Sequence, residues 1–250
     1  MKTEEKEWYV KTFGRDYLKI YGHRNEQEAK QHVQFALAAM ELQPGQKVLD
    51  LGCGYGRHAM ELARHRFLVI GLDLSQELLK IAKQNACGQK LGIRFIRQDM
   101  RHIPFTGFFD AVFSFFTSFG YFDLDEENGK VIRAVSKALK INGQFFLDYL
   151  NVHYALDNMV SQDTKAMQDY SVVQKRSFDK HNFRIKKKIL LNTTGTSREY
   201  TESVRAYGMA EIGSFFADAG LICTAVYGDY DGSTYSQQSK RLIMVGKKEL

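Results

Sequence analysis

The sequence predicts an α/β fold in which a mostly parallel β-sheet is covered by helices on both faces. Short apolar runs of strand length alternate with amphipathic runs of helix length over residues 47–148. The first apolar run ends in a glycine-rich turn, and four of the five runs end in an acidic residue. Strands and helices that alternate in this rhythm are typical of a parallel sheet between two helical layers.

The length and composition are those of a single soluble domain. A chain of 250 residues with 44% apolar and 26% charged residues can bury a substantial core. The three cysteines are far apart and predict neither a disulfide framework nor a metal site. Residues 1–6 are charged and lead into no apolar segment, and no apolar run reaches the roughly 18 residues of a membrane helix. We therefore expect a cytoplasmic protein without a membrane partner.

The elements of the first part of the chain follow from helix caps and apolar periodicity. Asn25 followed by Glu28 indicates an N-cap with a capping box, and this helix ends before Pro44. Strands and helices then alternate. The predicted strands cover residues 47–51, 68–73, 93–99, 109–115 and 144–148, and the predicted helices cover residues 57–64, 75–85 and 125–139.

After residue 151 the apolar period changes from that of a helix to that of a strand. Residues 170–178, 183–192 and 198–207 alternate between apolar and polar side chains, which predicts an antiparallel meander. A helix at 209–219 and strands at 221–227 and 241–247 complete the chain. We expect one domain, residues 1–250, made of a helical cap (1–45), a ligand-binding core (46–151), a β insertion that acts as a lid (152–208) and the end of the core (209–250).

Residues 48–57, VLDLGCGYGR, are the most informative segment. Glycines at alternate positions let the backbone turn sharply and let a ligand approach the main chain. Seventeen residues after Gly56, a second apolar run ends in Asp73, as in units that bind the adenosine part of a cofactor. A dinucleotide motif needs a small residue where Arg57 stands, and a phosphate-binding loop needs a following Gly-Lys-Ser/Thr. The spacing therefore argues against both.

This segment resembles motif I of the class I S-adenosylmethionine (SAM)-dependent methyltransferases, whose pattern is hhDxGxGxG with h apolar. The resemblance implies SAM as the cofactor and methyl transfer as the reaction. It also implies a Rossmann-like sheet of seven strands in the order 3-2-1-4-5-7-6, with the seventh strand antiparallel between the fifth and the sixth. Most of the chain further resembles small bacterial methyltransferases related to amino-sugar N-methyltransferases.

The resemblance assigns roles to the residues at the carboxyl ends of the strands, where open α/β sheets bind ligands. Asp73 is expected to accept both ribose hydroxyls, and Asp99 to accept the adenine amino group while Met100 covers one face of the ring. Helix N-caps are the alternative role for both acids. Asp50 is expected to orient the loop or to meet the amine of the cofactor, directly or through water. The expected cofactor-binding residues are Tyr17, Asp50, Gly52, Cys53, Gly54, Asp73, Leu74, Asp99, Met100 and Phe115.

Main-chain and aromatic groups complete the expected cofactor site. Gly52, Cys53 and Gly54 are expected to contact the methionine half of SAM through the backbone, with the Cys53 thiol filling space rather than reacting. Phe115 is expected to form a wall beside that half. Members of the family often close a tyrosine-bearing N-terminal segment over SAM, which implies Tyr17, although packing in the core is its alternative role.

The acceptor is expected to be a small molecule, with nitrogen favoured over oxygen. Methyl transfer from a sulfonium depends mainly on proximity and alignment, and an amine must be neutral to react. The candidate proton acceptors are Tyr17, His102, Tyr121 and His153. Residues 115–122, FFTSFGYF, resemble an aromatic substrate wall. With only two prolines, the chain lacks the Asn/Asp-Pro-Pro-aromatic motif on which enzymes that methylate base amines commonly rely.

Two other interpretations stay open from the sequence. Residues 163–208 carry a surplus of positive charge, and an RNA methyltransferase that holds phosphates on Lys186, Lys187 and Lys188 is one of them. The other is a SAM-binding module without catalysis. A solvated face of a β-sheet explains the basic segment equally well, so we expect no nucleic-acid partner.

Overall fold

The computed structural model describes residues 8–22 and 25–249. The charged start of the chain, on which the expected absence of a signal peptide depends, lies outside them. The helices are α1 (Trp8–Thr12), α2 (Tyr17–Tyr21), α3 (Glu26–Ala39), α4 (Arg57–Arg64), α5 (Gln76–Gly88), α6 (Asp125–Ala138), α7 (Val152–Asp157) and α8 (Met209–Asp218). The strands are β1 (Lys47–Leu51), β2 (Leu68–Asp73), β3 (Arg94–Arg97), β4 (Phe109–Ser114), β5 (Leu139–Leu150), β6 (Gln162–Ala166), β7 (Tyr170–Asp179), β8 (Arg184–Thr193), β9 (Thr196–Arg205), β10 (Leu221–Tyr227) and β11 (Arg241–Lys248).

Seven strands form the main sheet in the order β3-β2-β1-β4-β5-β11-β10. β11 runs antiparallel to both β5 and β10, and the other neighbours are parallel. When these seven strands are counted along the chain, β10 is the sixth and β11 the seventh, so the order is 3-2-1-4-5-7-6. The predicted fold class is confirmed.

Helices cover both faces of the main sheet because its strands are apolar on both sides. In β4, Val112 belongs to one buried cluster and its neighbour Phe113 to a second cluster on the opposite face. The predicted helix caps are present. Asn25 accepts a hydrogen bond from the N–H of Glu28 at 2.9 Å, and Ser75 accepts one from the N–H of Leu78 at 3.2 Å.

The insertion is a separate antiparallel sheet of four strands in the order β6-β7-β8-β9. Its three long strands match the predicted meander. Strand β6 and helix α7 are additions to it, and their sequences explain why no pattern indicates them. β6 is a five-residue edge strand with an exposed polar sequence, QDTKA, and α7 has only six residues. Both are too short to show an apolar period.

The two N-terminal helices pack against β9 of the insertion. Thr12 donates a hydrogen bond from Oγ1 to the carbonyl of Thr201 at 2.9 Å. Asp16 accepts hydrogen bonds from Arg198 at 2.7 Å and from Tyr200 at 2.5 Å. These contacts join segments about 180 residues apart in sequence, and they close one side of the cavity described below.

In the part of the chain that the structure describes, no helix combines the length and the apolar character that a membrane span requires. The cytoplasmic location stays a prediction.

Candidate active site

A cavity of about 1150 Å³ lies at the carboxyl ends of β1 to β4. The strand order reverses between β1 and β4, which is the place where open α/β sheets bind ligands. Its lining comprises the loops that follow these strands, the first turns of α4 and α5, the segment of α1 and α2, the end of β5 and residues of β9. A cavity of this size can hold a nucleoside cofactor together with a second small molecule, since single-ligand pockets measure about 300–1000 Å³.

The glycine loop after β1 has already paired the main-chain donors that were expected to meet the cofactor. The N–H groups of Gly52 and Cys53 donate to the carbonyl of Leu72 at 2.8 and 3.0 Å. The N–H of Gly54 donates to Oδ2 of Asp73 at 2.8 Å. A ligand therefore meets carbonyl oxygens and Cα atoms here, and carbonyl oxygens suit an ammonium group better than a carboxylate.

Two glycines of this loop serve different purposes. Gly52 has a φ of +74°, and a Cβ at this position would lie 2.9 Å from the Cβ of Ser118, so the space is taken by the loop after β4. Gly54 has a φ of +54°, and the nearest atom to its Cβ position is the Cδ1 of Leu78 at 3.9 Å. Both positions favour glycine through their backbone angles, but only Gly54 leaves room for a ligand against the main chain.

Asp73 is half-buried at the end of β2 and lines the cavity. Its Oδ2 accepts the N–H of Gly54, and its Oδ1 accepts the N–H of Ser75 at 2.8 Å. Burial raises the pKa of this carboxyl, and the two N–H groups oppose the rise. Each oxygen keeps capacity for a second hydrogen bond, so the group fits a pair of neighbouring ribose hydroxyls.

Asp99 lines the cavity, but an arginine from the next turn already pairs with its carboxylate. Arg101 contacts Oδ2 of Asp99 at 2.6 Å, and its other nitrogen contacts Glu127 at 2.6 Å. Burial alone would raise the pKa of Asp99, yet the hydrogen bonds and charge of Arg101 lower it overall. An adenine amino group would therefore have to share an occupied acceptor. Leu74 and Met100 line the same end of the cavity.

Asp50, which is expected among the cofactor-binding residues, does not lie among the described residues that line the cavity. It is 1% exposed, and its Oδ2 has no hydrogen-bond partner within residues 8–22 and 25–249. Burial raises its pKa to about 7, with a further rise from the charge of Asp73. A role in orienting the loop, or a contact with the amine of the cofactor through water, stays a prediction.

Cys53 lines the cavity beside the glycine loop and is 8% exposed. Its pKa is raised well above that of an ordinary thiol by burial and by the charges of Asp50 and Asp73. A thiol that stays protonated is a poor nucleophile. This agrees with a space-filling role.

The four candidate proton acceptors separate into two pairs. Tyr17 and Tyr121 line the cavity, whereas His102 and His153 are exposed and are not part of the lining that the structure describes. His102 lies on the turn after β3, where its N–H donates to the carbonyl of Asp99. His153 lies in the first turn of α7. The structure gives these two expectations no support, since both side chains are exposed, and their roles as proton acceptors stay predictions.

Sequence reasoning missed two cavity residues at the start of α4. Arg57 is 7% exposed and donates from Nη1 to the carbonyl of Asn25 at 2.8 Å. His58 stacks on Phe115 with ring centroids 4.1 Å apart, and its Nε2 lies 3.2 Å from Nδ1 of His32. Both residues directly follow Gly56 in the first turn of the helix. Their position directly after the glycine loop could have indicated that they line the cavity, but the pattern of residues 57–64 indicates only a helix.

Aromatic rings from the N-terminal segment and from the loop after β4 form part of the cavity wall. The Tyr121 ring lies 5.1 Å from the Trp8 ring and 5.5 Å from the Phe13 ring, measured between centroids. The Tyr17 ring lies 5.8 Å from the Phe13 ring. Of the predicted aromatic segment 115–122, the residues in the lining are Phe115, Phe116, Thr117, Ser118, Tyr121 and Phe122.

Strand β9 contributes a charged group to the cavity. Glu202 lines it and pairs with Lys187 at 2.6 Å, and the hydroxyl of Tyr21 contacts both. Lys187 therefore points to the cavity side of β8. Strand alternation turns Lys186 and Lys188 to the opposite, exposed side, where Lys186 pairs with Asp179 at 2.9 Å. The three lysines do not form one basic face.

A family model described as a methyltransferase domain matches residues 42–208, about two thirds of the chain. The cypemycin N-terminal methyltransferase of Streptomyces sp. is 26% identical over 210 residues, which cover 82% of this chain and 84% of that protein.

Two solved structures share the fold. A SAM-dependent methyltransferase from Clostridium acetobutylicum superposes with a TM-score of 0.81 at 19% identity, over 94% of this chain and 96% of that one. A SAM-bound amino pentose methyltransferase from Micromonospora echinaspora superposes with a TM-score of 0.67 at 22% identity, over 94% and 97%. The family match spans the glycine loop, Asp73, Asp99 and the whole insertion. The chain therefore belongs to the methyltransferase-domain family and is an enzyme that uses SAM.

Proposed function

We propose that the enzyme transfers the methyl group of SAM to an amine nitrogen of a small molecule. The observation that carries this proposal is the aromatic part of the cavity lining, in which the rings of Trp8, Phe13 and Tyr121 lie against one another. Aromatic faces attract cationic nitrogen groups within about 6 Å of the ring centroid. An amine and its more basic, methylated product both suit such a wall.

We propose the following positions for the parts of SAM. The ribose hydroxyls bind Asp73, and the adenine ring lies between Leu74 and Met100. The methionine ammonium meets carbonyl oxygens of the glycine loop, whose N–H groups are paired internally. Arg57, buried beside this loop, supplies the positive charge opposite the carboxylate.

The chemistry requires little beyond alignment and deprotonation. SAM supplies a methyl group that is bound to a sulfonium sulfur, and the remainder of the molecule is a neutral thioether as a leaving group. The lone pair of the amine forms the new C–N bond as the S–C bond breaks, and the amine must have given up a proton to expose that lone pair. Tyr17 and Tyr121 remain the candidate proton acceptors, because both line the cavity.

We also propose that residues 152–208 act with the N-terminal helices as a lid over the acceptor. The contacts of Asp16 with Arg198 and Tyr200, and of Tyr21 with Glu202, support this division of the chain. Such closure excludes large acceptors and excludes water from the reacting groups. The names of two relatives agree with a nitrogen acceptor, since one methylates an N-terminus and the other is an amino pentose methyltransferase.

The proposal is tested by screening acceptors with SAM labelled in its methyl group. The panel pairs each small amine, amino sugars included, with the matching alcohol. We expect label in the amines and none in the alcohols. Label in the alcohols instead would contradict the nitrogen assignment, and label only in RNA or protein would contradict a small-molecule acceptor.

A variant of the aromatic wall separates acceptor binding from cofactor binding. Tyr121→Leu removes one ring that faces the acceptor, and we expect the KM for the amine to rise about 2- to 30-fold, the equivalent of about 0.5–2 kcal/mol. The Kd for SAM should change less than threefold, measured by calorimetry. An unchanged KM for the amine would show that the acceptor binds elsewhere.

A further inference from the structure

The loop between β4 and α6 contains two consecutive residues in the left-handed region. Phe116 has a φ of 58° and Thr117 a φ of 61°. Neither is glycine or asparagine, the residues that adopt this region most readily, and Thr117 is β-branched. Strained backbone of this kind persists only where the surrounding structure holds it, and it is concentrated at functional sites.

This loop lies between the two halves of the cavity. Residues 115–118 line it. Ser118 fits against Gly52 so closely that a Cβ on the glycine would lie 2.9 Å from the Cβ of the serine. Tyr121 of the aromatic wall follows three residues later. The loop therefore touches the cofactor side at one end and leads into the acceptor side at the other.

One residue of β5 holds both strained residues, through its side chain and its backbone. Asp148, at the carboxyl end of β5, is 0% exposed. Its Oδ2 accepts the N–H of Phe116 at 2.7 Å, and its backbone carbonyl accepts the N–H of Thr117 at 2.9 Å. A single residue of the sheet thus fixes two successive peptide groups of the loop.

Two further residues hold the Asp148 carboxylate itself. Tyr230 donates from its hydroxyl to Oδ2 at 2.7 Å, and Arg241 donates to Oδ1 at 2.6 Å. Arg241 also donates to Oγ1 of Thr117 at 2.9 Å, so it contacts the loop directly. Among the residues that the structure assigns to the cavity lining, Asp148, Tyr230 and Arg241 are absent. Two routes connect them to the lining. One is the loop at Phe116 and Thr117, and the other is the stack of Tyr230 on His32, 3.9 Å between ring centroids, which leads to His58.

We propose that Asp148 is a positioning residue for methyl transfer, which fixes the strained loop at residues 116–117 and thereby the alignment of donor and acceptor. The reason is geometric. In-line displacement depends on the relative position of the two reacting groups, and a misplacement of about 1 Å can cost about 100-fold in rate. This inference rests on the proposed placement of the acceptor beside Tyr121, but not on which amine it is.

The first test needs no acceptor. In Asp148→Asn, an amide replaces one carboxylate oxygen, and the Arg241 charge loses its partner. We expect the amide of Phe116, whose acceptor is the side chain, to lose protection in hydrogen–deuterium exchange by tenfold or more. The amide of Thr117, whose acceptor is a backbone carbonyl that the variant keeps, should lose less, and the amides of β1 should keep their protection. Unchanged protection at the Phe116 amide would overturn the proposal, whatever the acceptor.

The second test measures kinetics against a matched control. Asp110→Asn breaks a comparable carboxylate, which accepts the N–H of Lys47 at 2.8 Å and pairs with Lys140 at 2.6 Å, at the opposite end of the same sheet. With the amine found in the screen, we expect Asp148→Asn to lower kcat about 10- to 100-fold with the KM for SAM within threefold. Asp110→Asn should lower the Tm but leave kcat within twofold.

A double variant separates positioning from simple stability. Asp148→Asn combined with Arg241→Gln removes both charges and keeps groups that can donate and accept hydrogen bonds. We expect it to recover at least part of the kcat lost in Asp148→Asn, together with protection of the Phe116 amide. If Asp148→Asn lowers only the Tm, or if the Asp110 control lowers kcat as much, Asp148 has a structural role alone. A wild type that turns over none of the amines contradicts the proposed function instead, and the exchange result still decides the role of Asp148.

Discussion

The acids that end the strands of the main sheet occupy similar positions but meet different partners. Asp73 accepts two backbone N–H groups and keeps capacity for a ligand. Asp99 is paired with Arg101, and Asp148 is buried against Arg241. Asp50 is buried, and one of its oxygens has no partner among the residues that the structure describes. Their chemistry therefore differs even though the sequence pattern is the same. Each difference has a measurable consequence.

Asp73 and Asp99 are predicted to differ in their contribution to SAM binding. A charged acceptor contributes about 1.5–3 kcal/mol to a hydrogen-bonded ligand, so Asp73→Ala should weaken SAM binding about 10- to 100-fold. Asp99→Ala should weaken it less than threefold, because Arg101 already occupies that carboxylate. Calorimetry with SAM measures both. Equal losses in the two variants would mean that Arg101 releases Asp99 when the cofactor binds.

The buried carboxyl of Asp50 is predicted to destabilise the folded protein at neutral and higher pH. Its pKa is about 7 in the folded state and about 3.9 in an unfolded chain. Between these values the folded state holds a proton that the unfolded state has lost, so stability falls as the pH rises from about 4 to about 7. Asp50→Asn should remove this loss, which amounts to about 1–4 kcal/mol. The Tm gain of the variant should be larger at pH 8 than at pH 5.

Asp110→Asn is the control for this measurement, because the contribution of Asp110 to stability changes with pH in the opposite direction. Burial alone would raise the pKa of Asp110, but the hydrogen bond and charge of Lys140 lower it overall. A lowered pKa adds stability above the unfolded value, and this stability is lost as the pH falls. The control should therefore lose Tm at pH 8 and lose less near pH 3. A Tm for Asp50→Asn that tracks the wild type at every pH would contradict the raised pKa.

At the scale of single elements, the glycine loop and the loop after β4 are predicted to depend on each other. Gly52→Ala combines a left-handed φ with a Cβ that would meet Ser118, whereas Gly45→Ala has a left-handed φ of +89° and nothing within 4 Å. The strain at both positions costs about 1 kcal/mol or more, and only Gly52→Ala adds a steric clash. We expect a larger fall in Tm for Gly52→Ala, partly restored by Ser118→Gly. Equal falls for both glycine variants would contradict the close contact.

The regular elements could be predicted because their signals are local. Asn25 and Ser75 cap their helices as their sequences indicate, and strand alternation gave β7, β8 and β9. The early start of β5 at Leu139 was missed, because Asn142 and Gly143 look like a turn. Asn142 is left-handed, with a φ of 64°, yet the strand continues through it.

The candidate site could be predicted only in part because its partners are distant in sequence. The glycine loop and Asp73 follow from spacing, and both lie at the cavity. No sequence pattern indicates that Arg241 reaches Thr117, or that Tyr21 contacts Glu202, since about 120 to 180 residues separate them. His102 and His153 have the chemistry of a proton acceptor, but the sequence does not show which side chains face solvent. Neither lies in the cavity lining that the structure describes.

At the scale of the whole molecule, the net charge of +6 leaves an RNA acceptor to be tested directly. Lys187 pairs with Glu202 and Lys186 with Asp179, on opposite faces of β8, so these two lysines do not form one phosphate-binding surface. Each phosphate contact that RNA makes adds about 0.7–0.9 to the slope of log affinity against log salt. We expect a slope near zero, measured by fluorescence anisotropy with a short RNA between 50 and 200 mM salt, salt concentrations over which specific binders lose most of their affinity.

Variants of the lysines on the two faces of β8 test whether the basic insertion binds RNA. Lys186→Gln combined with Lys188→Gln removes the two lysines of the exposed face of β8, and we expect methyl transfer to the amine to stay within twofold of the wild type. Lys187→Gln, on the cavity side, breaks the pair with Glu202 and the contact with Tyr21, and should raise the KM for the amine because the N-terminal helices lose part of their docking to β9. The opposite outcome is a steep salt slope that the Lys186/Lys188 variant reduces by about 1–2 and that Lys187→Gln leaves unchanged. It would indicate RNA as the acceptor, because phosphates would then contact the two exposed lysines and not the inner one.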